Sequence, residues 1–297
     1  MTHFLEIDDL SDAELTHVLD MAQLTPAPAV LSGRGVALIF EKPSARTRNS
    51  SEVAVFQLGG HPVTIRGEEV GFDHRESVED ITRALAQYHA VLGARVFDHH
   101  VLTRMAAVSP VPVINLLSDR AHPCQVLADL LTLHQHYGYL KGLKVAWIGD
   151  GNNVCRSLVL GASRAGINVA VACPPGYEPD AAAVEAARGR GVDIEVGHDP
   201  RAAATGADAV FTDTWISMGD ETAANERRSA FGGFTVDADI MGRAAPSAPF
   251  LHCLPAHRGE EVTDEVIDGP QSLVWQEAAN RLHAFRGLLL WQFGHQL

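Results

Sequence analysis

Short apolar runs rich in β-branched residues alternate with amphipathic stretches along almost the whole chain. Strands that alternate with helices in this way predict parallel sheets covered by helices on both faces. The predicted strands cover residues 36–40, 62–65, 91–96, 112–115, 144–148, 168–172, 192–196, 209–212 and 250–253. Nine strands are many for one open sheet, and a helical segment after Pro123 separates the first four from the rest.

The strand pattern therefore predicts an α/β protein with two doubly wound parallel-sheet domains of similar size. We expect the first domain at residues 1–134, completed by a last helix at 274–297 that packs back on it. The second domain is expected at residues 135–273. A chain of 297 residues is long enough for both.

The chain is acidic, with a net charge of −14, and 20 of its 23 cationic side chains are arginines. The acidic balance argues against a nucleic-acid or anionic-membrane surface, because both need clustered Lys and Arg. No GxxxxGK[ST] string is present, so a P-loop is not predicted. Any anionic ligand would have to be held mainly by arginine.

The cysteines and the N-terminus predict a cytoplasmic enzyme. The four cysteines form no CxxC pair, which argues against a zinc ribbon, and sparse thiols suit a reducing compartment. The first ten residues are acidic and no apolar run approaches the ~20 residues of a membrane span. A processed organellar chain would have the same features.

Polar clusters lie at the ends of six of the predicted strands. Parallel α/β sheets bind ligands at the carboxyl ends of their strands, so these clusters are candidate binding residues. They are Ser44-Ala45-Arg46-Thr47-Arg48, Arg95, His122-Pro123-Cys124-Gln125, Gly149-Asp150-Gly151-Asn152-Asn153, Asp213-Thr214-Trp215-Ile216-Ser217-Met218-Gly219 and His252-Cys253-Leu254-Pro255. Each has a structural alternative: the first is equally compatible with a capped surface helix, and Arg95 with an edge strand. Six together favour a site.

The chemistry of these clusters suits a small polar substrate. Arginines and free N–H groups at the start of a helix after Ser44 suit a phosphate. His122 and Gln125, one helical turn apart, are placed to donate to a carbonyl oxygen. Asp213 suits an ammonium group. The glycines at 149–151 lack the GxGxxG spacing, which argues against a nicotinamide dehydrogenase.

Taken together and in this order, the motifs resemble those of the ornithine carbamoyltransferases over nearly the whole chain. The Ser-x-Arg-Thr-Arg and His-Pro-x-Gln elements are similar to those of carbamoyltransferases generally, whereas the Asp-x-x-x-Ser-Met-Gly and His-Cys-Leu-Pro elements resemble the ornithine branch. His74-Arg75-Glu76-Ser77 and Glu277-Ala278-Ala279-Asn280-Arg281 complete the resemblance.

The resemblance implies a role for each matching residue. The implied ligands of carbamoyl phosphate are Ser44, Ala45, Arg46, Thr47, Arg95, His122, Gln125, Cys253, Leu254 and Arg281. The implied ligands of ornithine are Asn153, Asp213, Ser217 and Met218. It also implies a homotrimer, or a multiple of trimers, in which the loop at 74–77 reaches the neighbouring subunit's site, and no metal or organic cofactor.

The implied reaction is direct attack of the δ-amine of ornithine on carbamoyl phosphate, giving citrulline. The implied catalytic residues are Arg95, His122, Gln125, Asp213 and Cys253. The first three would polarise the carbonyl oxygen; Asp213, Cys253 or the leaving phosphate would accept the proton. Biosynthesis of arginine and phosphorolysis of citrulline both remain open.

Three departures from the family pattern leave the amine substrate open. Ala45 replaces a usual threonine, Ser51 a phenylalanine and Arg156 a histidine. A putrescine or N-acylated ornithine carbamoyltransferase is one alternative, and a non-catalytic binding homologue is another. The aspartate branch is disfavoured, because it is expected to use a lysine in a loop that has none here, at residues 66–77.

Overall fold

A computed structural model describes residues 2–216, 222 and 224–295 of the chain. The chain divides into two compact units, Met1–Leu131 with Ala279–Leu297, and Thr132–Ala278. Each unit contains one parallel sheet, as the alternation of strands and helices predicts. All nine predicted strands are confirmed, with bounds that shift by at most two residues. In the part of the chain that is described, no helix combines the length and apolar character needed to cross a membrane.

The first unit contains a four-stranded sheet in the order β2-β1-β3-β4. Its strands are β1 (Gly35–Phe40), β2 (His61–Arg66), β3 (His89–Arg95) and β4 (Val113–Leu117). Its helices are a 3-10 turn (Ile7–Asp9), α1 (Asp12–Ala22), α2 (Ala45–Gln57), α3 (Gly67–Val70), α4 (Val78–Leu85), α5 (His99–Val108) and α6 (Pro123–Tyr137), the last of which continues into the second unit. The inner strands β1 and β3 are apolar over most of their length, because helices cover both faces of the sheet.

The second unit contains a five-stranded sheet in the order β7-β6-β5-β8-β9. Its strands are β5 (Lys144–Ile148), β6 (Asn168–Ala172), β7 (Ile194–Gly197), β8 (Ala209–Thr212) and β9 (Phe250–His252). Its helices are α7 (Asn153–Arg164), α8 (Ala181–Arg188), α9 (Pro200–Ala204), α10 (Ala224–Ala230), α11 (Ala238–Met241) and α12 (Asp264–Ile267).

The pairing register brings the polar clusters together at the carboxyl ends of the strands in each sheet. In the first unit Phe40 pairs with Arg66 on one side and with Arg95 on the other, so three strands end level. In the second unit Thr212 pairs with His252, so the residues that follow β8 and β9 emerge together. These are the carboxyl ends of parallel strands, where ligands bind in such sheets.

The last helix, α13 (Val274–Gln292), belongs to the first unit from Ala279 onward. Arg286 donates from Nη2 to the carbonyl oxygens of Ala22 and Leu24, both at 2.9 Å, at the end of α1. A Cβ atom at Gly287 would lie 2.5 Å from the Val18 carbonyl oxygen. Only glycine therefore allows this approach of α13 to α1.

We expect Gly287→Ala to destabilise the protein by about 1–3 kcal/mol, because overpacking against backbone atoms forces the helices apart. Helix propensity alone predicts the opposite sign, since alanine is favoured over glycine in a helix by about 1 kcal/mol. Urea unfolding measures the difference. Gly197→Ala, where an added Cβ meets no atom within 4 Å, is the control. A stabilised Gly287→Ala protein would contradict the packing.

Candidate active site

The turn after β1 forms the predicted anion-binding helix start. Ser44 caps α2, because its hydroxyl oxygen accepts a hydrogen bond from the Thr47 amide at 3.3 Å. Arg46, Thr47 and Arg48 occupy the first turn of α2. Thr47 is buried, whereas Arg48 is exposed. The N-terminal N–H groups and the buried hydroxyl therefore belong to one small region.

Two buried guanidinium groups converge on the Thr47 hydroxyl. Arg95 Nη1 lies 3.5 Å from Thr47 Oγ1, and Arg281 Nη2 donates to the same oxygen at 3.2 Å. Arg281 Nη1 also donates to Gln125 Oε1 at 2.5 Å, and Gln125 Nε2 donates to Asp129 Oδ1 at 2.8 Å. Residues far apart in sequence thus form one buried polar cluster in the first unit. Concentrated, forked positive charge of this kind suits a phosphate.

His122 is part of the same region and is held neutral. It is almost completely buried at the start of α6. Burial lowers the pKa of His122 well below its usual value, and the positive charges of Arg281 and Arg95 lower it further. A neutral imidazole at pH 7 has one N–H donor and one acceptor nitrogen. His122 can therefore donate a hydrogen bond without carrying a charge.

Arg48 braces the turn. Its Nε donates to Glu52 Oε1 at 2.9 Å, and Thr64 donates its hydroxyl to the same oxygen at 2.5 Å. Arg48 and Glu52 line a cavity of about 560 Å³ together with Ser44 and Ala45. The cavity thus includes two of the predicted phosphate ligands, whereas Thr47 and Arg95 lie outside its lining.

In the second unit, Asp213 is the centre of a hydrogen-bonded group. It follows β8 directly and is 5% exposed. Asn152 Nδ2 donates to its Oδ2 at 2.9 Å, and the Cys253 thiol donates to its Oδ1 at 3.1 Å. The structure therefore brings two predicted residues, Asp213 and Cys253, together. Asn152 also belongs to this group. It is part of a predicted polar cluster, but the family resemblance implies its neighbour Asn153, the first residue of α7, as the ornithine ligand.

Asn152 also explains why the glycine-rich turn is not a dinucleotide site. Its Oδ1 accepts from the Val154 amide at 2.9 Å and from the Cys155 amide at 3.1 Å. These are N–H groups at the start of α7, the position at which such folds bind a pyrophosphate. A Cβ at Gly151 would lie 2.3 Å from the Pro179 nitrogen, so the turn packs against protein. The amides that would bind the pyrophosphate of a nicotinamide cofactor are therefore already hydrogen-bonded to Asn152, which argues against a dehydrogenase.

The turn after β9 is held by two buried carboxylates that sequence reasoning did not single out as site residues. The His252 amide donates to Glu277 Oε2 at 2.8 Å, and His252 Nε2 lies 3.1 Å from Glu261 Oε1. The Leu254 amide donates to His252 Nδ1 at 2.8 Å, so Nε2 carries the proton and donates to Glu261. Leu254 has a left-handed backbone with φ 59°. Such strain at a non-glycine residue clusters at functional sites.

Asp213, His252 and Cys253 also have potential metal-ligand atoms within 4.8 Å of one another. Both ring nitrogens of His252 are hydrogen-bonded, one to the Leu254 amide and one to Glu261. A metal ion would have to displace one of these bonds. The group is therefore better described as a hydrogen-bonded network than as a metal centre.

The remaining predicted residues have different outcomes. Ser217 and Met218 lie outside the described residues. Ala45, one of the three departures, is exposed at the start of α2, whereas Ser51 is buried. Arg156 is buried in α7 and pairs with Asp180 at 3.4 Å.

Comparisons with known proteins match both units. The profile of the aspartate/ornithine carbamoyltransferase carbamoyl-P binding domain matches residues 2–135, and that of the Asp/Orn binding domain matches residues 141–292. An ornithine carbamoyltransferase of Roseobacter denitrificans is 45% identical over 304 residues, which cover 98% of this chain and 99% of that protein.

Solved structures have the same fold. The ornithine carbamoyltransferase from Pyrococcus furiosus superposes with a TM-score of 0.94 at 43% identity, over 99% of this chain and 98% of that one. An acetylornithine transcarbamylase complexed with acetylcitrulline has a TM-score of 0.88 at 32% identity, over 97% and 98% of the two chains. These matches confirm the resemblance of the motifs, and the chain belongs to the aspartate/ornithine carbamoyltransferase family.

Proposed function

We propose that this protein transfers the carbamoyl group of carbamoyl phosphate to the δ-amine of L-ornithine, giving L-citrulline and phosphate. The observation that carries the proposal is the convergence of Arg95 and Arg281 on the Thr47 hydroxyl, in a buried cluster with Gln125. Relatives named ornithine carbamoyltransferase, which match nearly the whole chain, support ornithine as the amine.

In this proposal the carbamoyl-phosphate-binding domain comprises residues 1–134 and is completed by residues 274–297, so it contains the whole first unit. The phosphate binds at the start of α2, where Ser44, Ala45, Arg46 and Thr47 offer N–H and hydroxyl groups. Arg95 and Arg281 neutralise its charge through forked N–H donors, which match a phosphate better than an ammonium does. The residues of the last helix are needed because Arg281 lies on α13.

The carbonyl oxygen of the carbamoyl group accepts hydrogen bonds from Arg95, His122 and Gln125. A neutral His122 suits this role, because a histidine whose pKa is lowered by burial donates its proton in a hydrogen bond without transferring it. Removing one donor of this kind typically costs about 10²–10³ in rate. No metal or organic cofactor takes part in the proposed reaction.

The ornithine-binding domain, residues 135–273 within the second unit, binds ornithine through Asn153, Asp213, Ser217 and Met218. The attacking amine must be neutral, and deprotonating a group of pKa ~10.4 at pH 7 costs about 4–5 kcal/mol. Cys253 donates its thiol proton to Asp213, which makes Asp213 the acceptor of the pair. We therefore propose that Asp213 accepts the proton that the attacking amine loses, with Cys253 and Leu254 beside the reacting groups.

A panel of amines tests the proposal. With carbamoyl phosphate as donor, we expect ornithine to be carbamoylated with the highest kcat/KM among ornithine, putrescine, lysine, aspartate and N-acetylornithine. The match to an acetylornithine transcarbamylase makes N-acetylornithine the second candidate. Preference for the acetylated amine would establish that alternative. Carbamoyl phosphate binding without turnover of any amine would indicate a non-catalytic homologue.

We also propose a homotrimer, or a multiple of trimers. The support is an exposed apolar face on α2, where Val53 is 41% and Phe56 is 74% exposed. The two side chains lie three residues apart, on one side of the helix. Adjacent exposed apolar side chains are a common feature of protein interfaces. Glu52, on the same helix, lines the cavity. In a trimer, the exposed loop at 74–77 of one subunit reaches the phosphate site of its neighbour.

Phe56→Glu should dissociate the assembly, because a charge replaces the largest exposed apolar side chain of α2. Light scattering after size exclusion is expected to show a trimer for the unaltered protein and a monomer for the variant. Tyr139→Glu changes an exposed aromatic side chain of the second unit and is expected to leave the trimer intact. A monomeric unaltered protein would contradict the trimer.

The cellular role proposed is arginine biosynthesis in the cytoplasm. The four cysteines are free thiols, which suits a reducing compartment. Expression in a bacterial strain that lacks its own ornithine carbamoyltransferase should restore growth without arginine. Failure of growth, with citrulline formation intact in vitro, would favour the catabolic direction.

A further inference from the structure

The loop between α3 and α4 is a tight, exposed turn with a defined shape. The Asp73 amide donates to the Glu76 carbonyl oxygen at 2.9 Å, and the His74 and Arg75 amides donate to the Gly71 carbonyl oxygen at 2.9 and 2.8 Å. Asp73 has a left-handed backbone with φ 58°. We define the exposed tip as His74, Arg75 and Glu76.

The two flanks of this tip are fixed in the core of the first unit. Phe72 before it and Val78 after it are buried in one hydrophobic cluster. Leu102 and Met105 of α5 belong to the same cluster. The loop therefore leaves and re-enters the core next to α5, and residues 73–76 between the two flanks are exposed.

Arg104 of α5 joins both flanks through one guanidinium group. Its Nη1 and Nη2 donate to Asp73 at 2.5 and 3.0 Å, and its Nε and Nη2 donate to Glu79 at 2.7 and 2.6 Å. Asp73 precedes the tip and Glu79 follows it. Two forked pairs on one planar group fix the directions of both carboxylates, which single-point contacts do not.

We propose that Arg104 is a positioning residue for carbamoyl phosphate binding: it clamps Asp73 and Glu79 and so holds the His74–Arg75–Glu76 tip in the orientation that a neighbouring subunit's phosphate site requires. This inference rests on the proposed trimer and on the proposed reaction. Arg104 does not touch the substrate; it acts through the tip.

The geometry explains why this position needs arginine. A lysine ammonium has all its donors on one nitrogen, so it cannot form a forked pair through two nitrogens with each of two carboxylates. The Arg104 guanidinium lowers the pKa of the Asp73 and Glu79 carboxyl groups through these hydrogen bonds, so both carboxylates stay ionised around neutral pH. Asp73 has a left-handed backbone, which aspartate adopts more readily than most L-residues, and the Arg104 contacts hold its side chain in place.

The first test separates positioning from folding. We expect Arg104→Gln and Arg104→Lys to raise the KM for carbamoyl phosphate about tenfold, with the KM for ornithine unchanged, because misplacement of a binding group weakens only the ligand that it contacts. Arg83→Ala is the matched control, since Arg83 forms an exposed pair with Asp80 on the adjacent helix α4. Equal KM values for Arg104→Gln and Arg83→Ala would overturn the proposal.

A double-variant cycle asks whether Arg104 acts through the tip. If it does, Arg104→Gln adds almost no further loss to a protein that already carries His74→Ala, since coupled residues are not additive. Fully additive losses would overturn the route through the tip. Faster amide hydrogen exchange at residues 71–79 in Arg104→Gln, but not in Arg83→Ala, is the expected readout that needs no activity.

Trimers that mix two variants test whether the tip of one subunit acts in the phosphate site of its neighbour. Arg104→Gln disturbs the tip that a subunit extends into its neighbour's phosphate site. Arg95→Ala instead disturbs the phosphate site of the subunit that carries the substitution. In a cyclic trimer assembled from equal amounts of both variants, about a quarter of the sites combine an intact Arg95 with an intact neighbouring tip. Mixing should therefore lower the KM for carbamoyl phosphate toward that of the unaltered protein. A KM no lower than that of Arg104→Gln alone would overturn the neighbouring role.

These outcomes distinguish the two proposals. No citrulline from the unaltered protein would overturn the proposed reaction. Unchanged hydrogen exchange at residues 71–79 in Arg104→Gln would overturn the clamp, whatever the reaction.

Discussion

Arg95→Ala is expected to lower kcat/KM for citrulline formation by at least about 10²–10³-fold. Arg95 shares the Thr47 hydroxyl with Arg281 and is assigned both to the phosphate and to the carbonyl oxygen. Removing one preorganised donor to a developing oxyanion typically costs this much. Initial rates at varied carbamoyl phosphate and saturating ornithine measure the loss, with circular dichroism to establish that the variant is folded.

The same variant has a second expected signature. The positive charge of Arg95 contributes, after burial and Arg281, to the low pKa of His122, so its removal should move that pKa upward. Nuclear magnetic resonance titration of the histidine measures this directly. Arg34→Ala, which removes an exposed guanidinium stacked on Phe293, is the control. Unchanged turnover in Arg95→Ala would remove Arg95 from the site.

Asp213→Asn is expected to cause a similarly large loss of kcat/KM for ornithine. Losing one partner of a buried charge pair costs about 2–5 kcal/mol, which corresponds to roughly 30- to 5,000-fold in kcat/KM for ornithine. The substitution keeps the size of the side chain and removes the charge that holds the amine. It also changes an acceptor of the Asn152 amide and of the Cys253 thiol.

Carbamoyl phosphate binding separates this effect from unfolding. Because the proposed phosphate site lies in the first unit, calorimetric affinity for carbamoyl phosphate should be the same in Asp213→Asn and in the unaltered protein. Asp239→Asn, which changes an exposed partner of Arg201, should leave both measurements unchanged. If Asp213→Asn retained full activity with ornithine, Asp213 would not be the amine ligand.

Much of the fold follows from local sequence patterns. The alternation of apolar strand runs and amphipathic helices predicts both parallel sheets, because a buried strand and a one-sided helix have different periodicities. The capping box of Ser11 and Glu14 begins α1, and the Ser77 side chain caps α4, so both helix starts coincide with short local capping motifs. These features depend on neighbours in the chain, so local sequence is enough to predict them.

Parts of the candidate site could not be predicted in this way. Glu261 and Glu277 are buried and hold the turn after β9, yet each lies in a polar stretch that is typical of the surface. Asn152 accepts from the start of α7 and donates to Asp213, although the family resemblance implies its neighbour Asn153 as the ornithine ligand. Arg48 braces Glu52. Which of two adjacent polar side chains faces a site depends on turn geometry, which composition does not encode.

The sequence by itself determined the two parallel sheets, the strand ends at which the polar residues lie and the preference for an anion bound by arginine. Only the tertiary structure decided that Arg281, from the last helix, shares a hydroxyl with Arg95, and that one guanidinium at Arg104 joins both sides of an exposed loop. Periodicity encodes which face of an element is buried. Contacts between side chains distant in sequence depend on how whole elements pack and on the rotamers that this packing allows.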